Sequence, residues 1–209
     1  MGLYNRYVLP HVVHMACGSK PTMRQRAKIV PRAQGRVLEV GIGSGLNLPY
    51  YDAASVSEVV GLDPSPEITD LAASAANAVE FQVRFLHSGA EEIPVGDDDF
   101  DTLVITYTLC SIPDPVPAVR EMARVLKPGG RLLFCEHGAA PDPPVRRWQD
   151  RIDPLWRRLG GGCRLNRRIP DLIEAGGFSI SELETMYIPG WRPACYNYWG
   201  TAQPTSTGR

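Results

Sequence analysis

The sequence predicts an α/β fold: a mostly parallel, seven-stranded sheet covered by helices on both faces. Short apolar runs of strand length alternate along the chain with longer segments of helical periodicity, which is the pattern of such folds. The first run ends in a glycine-rich bend and the second in a carboxylate, where parallel strands present their ends to a ligand. At 209 residues, with 44% hydrophobic and 22% charged residues, the chain has the size and composition of one globular domain.

An N-terminal helical arm is expected over residues 1–35, before the first predicted strand. Apolar residues recur there at three- and four-residue steps, although Pro10 should break or kink a helix. A second helix is predicted over residues 23–30. His11 and His14 would share one side of the first helix, where they could face a substrate or be partly exposed packing residues.

The glycine-rich bend follows a predicted strand over residues 36–40. Gly41, Gly43 and Gly45 are separated by single residues, and glycine permits the positive φ angles that a tight ligand-binding turn requires. A helix is expected to open after Gly45, with its free amides toward the ligand. Glu39 stands at the end of the strand, where its carboxylate would repel a pyrophosphate and would suit an ammonium group.

Phosphate-binding loops are the main alternatives for this bend. The dinucleotide fingerprint G-x-G-x-x-G/A needs a small third residue where this chain has Leu46. A Walker-type loop needs a Lys-Ser or Lys-Thr pair, which does not follow the glycines. A glycine-rich turn in some other α/β protein stays open on this stretch alone.

A second predicted strand, over residues 58–62, ends at Asp63, 18 residues beyond Gly45. At this spacing a βαβ unit places a carboxylate on the ribose hydroxyls of a bound nucleoside. Asp63 could instead cap the next helix. The glycine bend upstream favours the ribose interpretation.

The other elements follow from apolar periodicity and turn residues. They are helices over residues 66–78, 116–126 and 169–175, and strands over 79–86, 103–107, 131–135, 178–186 and 194–202, the last two forming an antiparallel pair. Residues 127–130, Lys-Pro-Gly-Gly, are read as the C-cap of the second of these helices. The acidic run over residues 97–101 is interpreted as a solvated turn, and no metal site is assigned anywhere in the sequence.

The arrangement E-x-G-x-G-x-G at residues 39–45 resembles motif I of the class I methyltransferases that use S-adenosyl-L-methionine (SAM). The run R-V-L-K-P-G-G-R-L-L-F is similar to the segment before the fifth strand of small-molecule members of this family. The resemblance implies a Rossmann-like methyltransferase domain over residues 36–209 with SAM as cofactor. It implies that SAM is bound by Glu39, Gly41, Gly43, Gly45, Asn47, Asp63, Pro64, Gly89, Ala90, Glu91 and Thr106.

The segment Ser-Gly-Ala-Glu-Glu-Ile-Pro, residues 88–94, resembles the part of this family that contacts adenine, commonly G-D-A-E-x-L-P. This sequence departs from the pattern at Gly89, where an aspartate usually accepts a hydrogen bond from the adenine amino group. Ala90 and Glu91 can still line the base.

The second half of the sequence, with E-H-G-A and L-G-G-G-C-R-L-N-R, looks like the thiol S-methyltransferase group. That group includes membrane-associated animal enzymes and soluble microbial enzymes that methylate hydrogen sulfide or methanethiol. The resemblance implies S-methylation of a small thiol or sulfide, such as hydrogen sulfide, methanethiol or an alkyl thiol. A phospholipid amine or quinone methyltransferase and a non-catalytic SAM-binding protein are the alternatives.

Candidate residues for contact with the methyl acceptor come from the arm, from the ends of the fourth and fifth strands, and from a segment over residues 138–168 inserted between the fifth strand and the last helix. His137 can take a proton near neutral pH, and the neighbouring Glu136 could fix its tautomer. Cationic groups would raise the ionised fraction of a thiol, whose ordinary pKa is about 8.5. The candidates are Tyr4, His11, His14, Tyr107, Cys110, Glu136, His137, Cys163, Arg164 and Arg167.

The composition of the sequence and the absence of targeting signals limit which partners and which cellular compartment are expected. The net charge of −1 and the lack of an N-P-P-Y-type motif argue against nucleic acid. Five scattered cysteines and no signal peptide predict reduced thiols in the cytoplasm. The sequence lacks both an apolar run of spanning length and the hydrophobic N-terminal anchor of the animal enzymes, so no integral membrane residence is expected. The oligomeric state stays open.

Overall fold

The structure, a computed structural model, describes residues 9–205. The first part of the predicted arm, with Tyr4, lies outside the described residues. The strands are β1 (Gly35–Val40), β2 (Val56–Leu62), β3 (Gln82–Leu86), β4 (Phe100–Thr106), β5 (Leu126–His137), β6 (Phe178–Tyr187) and β7 (Tyr196–Pro204). The α-helices are α1 (Leu9–Cys17), α2 (Lys20–Ile29), α3 (Pro66–Ala76), α4 (Pro115–Val125), α5 (Pro143–Leu159) and α6 (Ile169–Ala175).

The seven strands form one sheet in the order β3-β2-β1-β4-β5-β7-β6. β1 pairs in parallel with both β2 and β4, and β7 runs antiparallel to β5 and β6. The strand order therefore reverses between β1 and β4, which in open α/β sheets opens a crevice at the carboxyl ends of the strands. The predicted fold class, including the antiparallel terminal pair, is confirmed.

The core lies on both faces of the sheet because the side chains of a strand alternate between them. On one face, Leu38 packs in a cluster with Met122 of α4 and Ile173 of α6. On the other face, Val37 packs in a second cluster with Ile29 of α2. Helix α2, which the sequence assigned to the arm, thus covers one face of the sheet, where it packs over β5 and β7.

Two local predictions are wrong. No α-helix opens after Gly45: the chain continues through turns into a short 3₁₀ helix at Leu48–Tyr50. Pro49 lacks a backbone N–H and restricts the residue before it, and the side chain of Asn47 is drawn inward, so the turn does not propagate. Residues 127–130 also differ from the prediction, because β5 already starts at Leu126 and bends at Gly129, whose φ is +80°.

Gly45 offers a test of how closely the glycine-rich bend packs on α3. Its φ is +75°, and a Cβ there would lie 3.0 Å from Leu48 Cδ1 and 3.1 Å from Ala72 Cβ. Gly129 has a similar φ of +80° but open space around its Cα. Alanine at either position should lower the free energy of unfolding by about 1 kcal/mol because the backbone there is left-handed. Gly45→Ala should lower it by roughly 1–3 kcal/mol more because its Cβ is crowded. Urea unfolding of the two variants measures the difference, and equal losses would contradict the packing.

Candidate active site

The glycine-rich bend is fixed to the end of β2 by its own backbone. Gly41, Gly43 and Gly45 all have positive φ angles, as the sequence predicts for a tight turn. The N–H of Gly41 donates to the carbonyl of Leu62 at 2.7 Å, and the N–H of Gly43 donates to Asp63 Oδ2 at 3.1 Å. The structure therefore brings the bend and Asp63 together.

Asp63 is buried at the carboxyl end of β2, with 9% of its surface exposed. Its second oxygen, Oδ1, accepts the N–H of Ser65 at 3.0 Å. Burial raises the pKa of Asp63, while the hydrogen bonds from Ser65 and Gly43 oppose that shift. The carboxylate organises the turn into α3, and its expected contact with a ribose stays a prediction.

A buried polar network lies beneath the bend, at the carboxyl ends of the paired strands β1 and β4. Asn47 Nδ2 donates to Glu39 Oε1 and to Thr106 Oγ1, both at 2.9 Å. The hydroxyl of Tyr51 donates to Glu39 Oε2 at 2.8 Å. Burial raises the pKa of Glu39 to about 7, although Tyr51, Arg26 and Asn47 lower it. Both carboxylate oxygens of Glu39 therefore accept hydrogen bonds from other side chains of the protein, and these bonds order the bend. The contact of Glu39 with an ammonium group stays a prediction.

Arg26 of α2 is the residue of this network that the sequence analysis missed. It is 4% exposed, and its guanidinium donates to Asn47 Oδ1 at 2.8 Å and to Thr106 Oγ1. Its guanidinium carbon lies 5.0 Å from the ring centroid of Tyr107, and its Nε is buried with no hydrogen-bond partner among residues 9–205. The sequence does contain a signal for Arg26, because it lies three and four residues before the apolar residues Ile29 and Val30. This helical spacing places Arg26 on the buried side of the helix.

The predicted adenine segment forms an irregular loop after β3. Ala90 is buried, and Glu91 Oε1 accepts the N–H of Asp114 at 3.3 Å. Gly89 lies beside Glu91, and Pro64 is exposed at the end of β2. The structure places these residues near the carboxyl ends of β2 and β3, and their contact with adenine stays a prediction.

Helix α1 contacts the glycine-rich bend. His14 Nδ1 lies 2.7 Å from Ser44 Oγ, and both His14 and His11 are exposed. His14 is thus held at the side of the site that would receive the cofactor.

Three side chains from separate segments meet on the predicted acceptor side. Cys110 follows β4, His137 ends β5, and Cys163 follows α5. The Sγ atoms of Cys110 and Cys163 and one imidazole nitrogen of His137 all lie within 4.8 Å of one another. Cys163 Sγ is 3.2 Å from His137 Nε2. The indole Nε1 of Trp156 donates to Cys163 Sγ at 3.4 Å. These three residues, which the sequence could name only separately, are called the Cys-His-Cys cluster below.

Each residue of the cluster changes the pKa of the other two or of one of them. The hydrogen bond from Cys110, helped by His137, lowers the pKa of Cys163, and the same contact together with burial raises the pKa of Cys110. Burial lowers the pKa of His137, but the neighbouring Cys163 outweighs burial and the pKa ends above its ordinary value. The cluster therefore favours one thiolate, at Cys163, next to a positive imidazole.

Glu136 does not have the position that the sequence analysis expected. It is fully buried, and its Oε1 accepts the N–H groups of Thr108 and Leu109 at 2.7 and 3.0 Å. Burial raises its pKa to about 7 despite these bonds. Adjacent residues of a strand point to opposite faces, so Glu136 cannot reach the imidazole of His137. His137 Nδ1 is in fact buried with no hydrogen-bond partner in the described part of the chain.

Arg167 and Tyr107 also have structural partners. The guanidinium of Arg167 donates to the carbonyls of Leu109 and Ile112, the latter at 2.7 Å, and burial lowers its pKa. Tyr107 has a φ of +53°, stacks on His137 with 6.4 Å between ring centroids, and donates its hydroxyl to Asn197 at 2.6 Å. Both residues therefore fix the loop that presents Cys110.

The sheet and the site together define an enzyme of the Rossmann-like class that binds a nucleoside cofactor. Within the sheet, β7 runs antiparallel to its neighbours. The glycine-rich bend and Asp63 lie at the carboxyl ends of β1 and β2, and two residues of the Cys-His-Cys cluster lie at the ends of β4 and β5.

Comparison with known proteins narrows this class. Residues 38–134 match the family described as a methyltransferase domain. The human thiol S-methyltransferase TMT1A is 35% identical over 176 residues, covering 80% of this chain and 71% of the relative. A demethylmenaquinone methyltransferase of Thermus thermophilus is 32% identical over 172 residues, covering 77% of each chain. A phosphatidylethanolamine N-methyltransferase of Cereibacter sphaeroides is 33% identical over 159 residues, covering 75% of this chain and 77% of the relative.

The solved structures agree on the fold. A SAM-dependent methyltransferase of Thermotoga maritima, described as a possible histamine N-methyltransferase, superimposes with a TM-score of 0.67 at 20% identity, covering 96% and 97% of the two chains. This chain belongs to the SAM-dependent methyltransferases, and its cofactor is SAM. None of the helices within residues 9–205 is long and apolar enough to cross a membrane.

Glu39 generates a prediction for stability against pH. Its pKa is about 7 in the fold and 4.5 as the ordinary value, so between these values the folded protein binds more protons than the unfolded chain. The contribution of Glu39 is therefore fully present below about pH 4.5 and is lost as pH rises through about 7. Between acid pH and pH 8, the free energy of unfolding of SAM-free Glu39→Gln, relative to that of the wild type, should therefore rise by about 3 kcal/mol.

Urea unfolding at several pH values measures this shift. The exposed Glu80 supplies the control, because Glu80→Gln should follow the wild-type profile at every pH. A Glu39→Gln profile parallel to that of the wild type would contradict the burial of a titrating carboxyl.

Proposed function

We propose that the protein transfers the methyl group of SAM to the sulfur of a small thiol or sulfide, such as hydrogen sulfide, methanethiol or an alkyl thiol. The observation that carries this proposal is the Cys-His-Cys cluster with Arg167 beside it. Thr108, in the loop that carries Cys110, donates to the carbonyl of Gly41 at 3.4 Å and so links this loop to the glycine-rich bend. The imidazole of His137 and the guanidinium of Arg167 supply positive charge there, which favours the thiolate form of an acceptor. The thiol S-methyltransferases that resemble this chain support the same acceptor class.

The chemistry is a single displacement. A sulfur lone pair of the acceptor attacks the methyl carbon, the bond from that carbon to the sulfonium breaks, and S-adenosylhomocysteine leaves. Most of the acceleration comes from positioning the two sulfur atoms in line and from excluding water. A free thiol with a pKa of about 8.5 is only a few per cent ionised near neutral pH, so groups that favour its thiolate raise the rate. His137 and Arg167 are the groups that would do so.

The cofactor would lie between the bend and the polar network. Asp63 would accept from the ribose hydroxyls, and Ala90 with Glu91 would line the adenine. Arg26 carries a positive charge at the end of the crevice where the amino-acid part of SAM must go, and its unpartnered Nε can donate to a carboxylate. Asn47 and Thr106 hold that guanidinium in place.

A lipid or quinone substrate is the second candidate, and α5 favours it. This helix exposes Trp148, Leu155 and Leu159, which are 55%, 63% and 55% accessible. Exposed arginines at positions 147, 151, 157 and 158 share the helix. Apolar and basic side chains on one exposed helix suit an anionic lipid surface. Relatives named for demethylmenaquinone and phosphatidylethanolamine support this candidate.

The cofactor assignment is tested with two variants and two ligands. Adenosine has the ribose of SAM but lacks its carboxylate. Asp63→Asn should therefore weaken adenosine and SAM alike, by about tenfold or more, because it removes a charged acceptor from the ribose hydroxyls. Arg26→Gln should weaken SAM by a similar factor and leave adenosine binding nearly unchanged. Isothermal titration calorimetry measures all four affinities.

The control for the cofactor experiment is Asp70→Asn, which changes an exposed carboxylate of α3 and should bind both ligands like the wild type. Thermal unfolding checks that each variant is folded. Unchanged SAM affinity in Asp63→Asn would exclude the ribose contact. Equal loss of both ligands in Arg26→Gln would show that Arg26 only orders the site.

An acceptor screen tests the reaction itself. Purified protein is incubated with SAM and, separately, with sulfide, methanethiol, a longer alkyl thiol, a demethylated quinol, or vesicles containing phosphatidylethanolamine. We expect S-adenosylhomocysteine to accumulate with the thiols. Release only with the quinol or the vesicles would replace the thiol proposal by the second candidate. SAM binding without turnover of any acceptor would show a non-catalytic SAM-binding protein.

His137 should matter for the acceptor and not for the cofactor. His137→Gln and His137→Ala should lower kcat/KM for thiols by about 10- to 100-fold while leaving the SAM dissociation constant unchanged. Full activity of both variants on every accepted thiol would remove His137 from the mechanism.

A further inference from the structure

The Cys-His-Cys cluster has the composition of a transition-metal site. Two thiols and an imidazole are the ligands that zinc prefers, and three protein ligands with one open position are characteristic of catalytic zinc. The three residues come from three different segments, so only the fold brings their ligand atoms within 4.8 Å of one another.

The distances fit a tetrahedral ion. Zn–S bonds of about 2.3 Å and Zn–N bonds of about 2.0 Å separate two ligand sulfurs by roughly 3.8 Å, and a sulfur from a nitrogen by roughly 3.5 Å. Cys163 Sγ is 3.2 Å from His137 Nε2, and the remaining pairs are within 4.8 Å. Shifts of about 1 Å or less would complete the coordination of the three ligands.

The segments that carry the ligands are held together independently of any ion. The N–H of Arg164 donates to the carbonyl of Cys110 at 3.0 Å, which joins the two cysteine-bearing loops. Glu136 and Arg167 fix the loop of Cys110 through its backbone, as described above. Trp156 donates to the sulfur of Cys163, and a hydrogen bond of this kind orients and stabilises a thiolate that binds a metal.

The cluster has one closed side and one accessible side. Cys110 is 2% exposed, whereas His137 and Cys163 each keep part of their surface accessible. A fourth ligand can therefore approach from the side of His137 and Cys163, and this accessible side is where an acceptor molecule would enter.

We propose that Cys110, His137 and Cys163 bind a zinc ion whose fourth position takes the sulfur of the acceptor thiol. This inference rests on the proposed thiol methylation. The acceptor R–SH releases its proton to solvent when its sulfur binds zinc, because a coordinated thiol ionises readily. A lone pair of the bound thiolate then forms the S–CH₃ bond as the sulfonium–CH₃ bond of SAM breaks. The neutral thioether R–S–CH₃ is a weaker ligand and dissociates, so zinc is neither oxidised nor reduced.

Cobalt substitution tests the site without relying on activity. The full-length protein, freed of metal by a chelator under reducing conditions, is titrated with Co²⁺ and with Zn²⁺. We expect one equivalent of Co²⁺ to give sulfur-to-cobalt charge-transfer absorption and the intense visible bands of tetrahedral cobalt, and Zn²⁺ to displace it. Cys110→Ser, Cys163→Ser and His137→Gln should each weaken Co²⁺ binding at least tenfold. Cys195→Ser, which alters a cysteine outside the cluster, should not.

SAM calorimetry checks the folding of each cluster variant. If a serine variant does not fold, the wild-type titration still decides the question, because the charge-transfer band reports thiolate ligands directly. Absence of that band, or an undiminished band in all three cluster variants, would overturn the metal site.

Adding methanethiol to the cobalt-loaded protein tests the fourth position. A further charge-transfer band, and turnover that falls at least tenfold on metal removal and returns with Zn²⁺, would support the inference. A spectrum unchanged by the thiol, or equal activity without metal, would overturn the role of the ion while leaving thiol methylation in place. A cobalt spectrum that responds to thiols in a protein that methylates none of them would support the site and remove the proposed function.

Discussion

The active-site edge depends on the buried hydrogen bonds around Asn47. This one side chain joins Glu39 of β1, Thr106 of β4 and Arg26 of α2, three segments that are far apart in sequence. Burying a carboxylate and a guanidinium is costly unless both are hydrogen-bonded, so the network holds the bend, the strands and the helix in one arrangement. Because the strand order reverses between β1 and β4, the same bonds lie at the base of the crevice.

The acceptor side uses buried polar groups in a comparable way. Glu136 is directed away from His137 and bonds the backbone N–H groups that follow β4, and Arg167 bonds carbonyls of the same loop. Both residues are catalytic candidates in the sequence because they are charged, Glu136 near the end of β5 and Arg167 in the segment between α5 and α6. In the fold both position the loop that carries Cys110, and the charge of Arg167 stays close to Cys110 and Cys163.

The strands, most helices and the glycine-rich bend could be predicted because their signals are local. Apolar periodicity marks the strands, and the helix over residues 169–175 was placed with its observed bounds. The bend was recognised because its backbone needs positive φ at three closely spaced glycines. The helix expected after Gly45 does not form, partly because of Pro49 and partly for a non-local reason. The amide of Asn47 is needed inside the network, and a buried hydrogen bond outweighs a weak helical preference.

The sequence by itself determined the fold class and the positions of the bend and Asp63, because each is encoded by residue types at short, fixed spacings, and the resemblance of residues 39–45 to motif I implied the cofactor. Only the tertiary structure decided that Arg26 joins Asn47 beneath the bend, that Glu136 turns away from His137, and that Cys110, His137 and Cys163 meet. Those relations are contacts between segments separated by many residues, and a single sequence carries no periodicity that reports which distant side chains the sheet brings together.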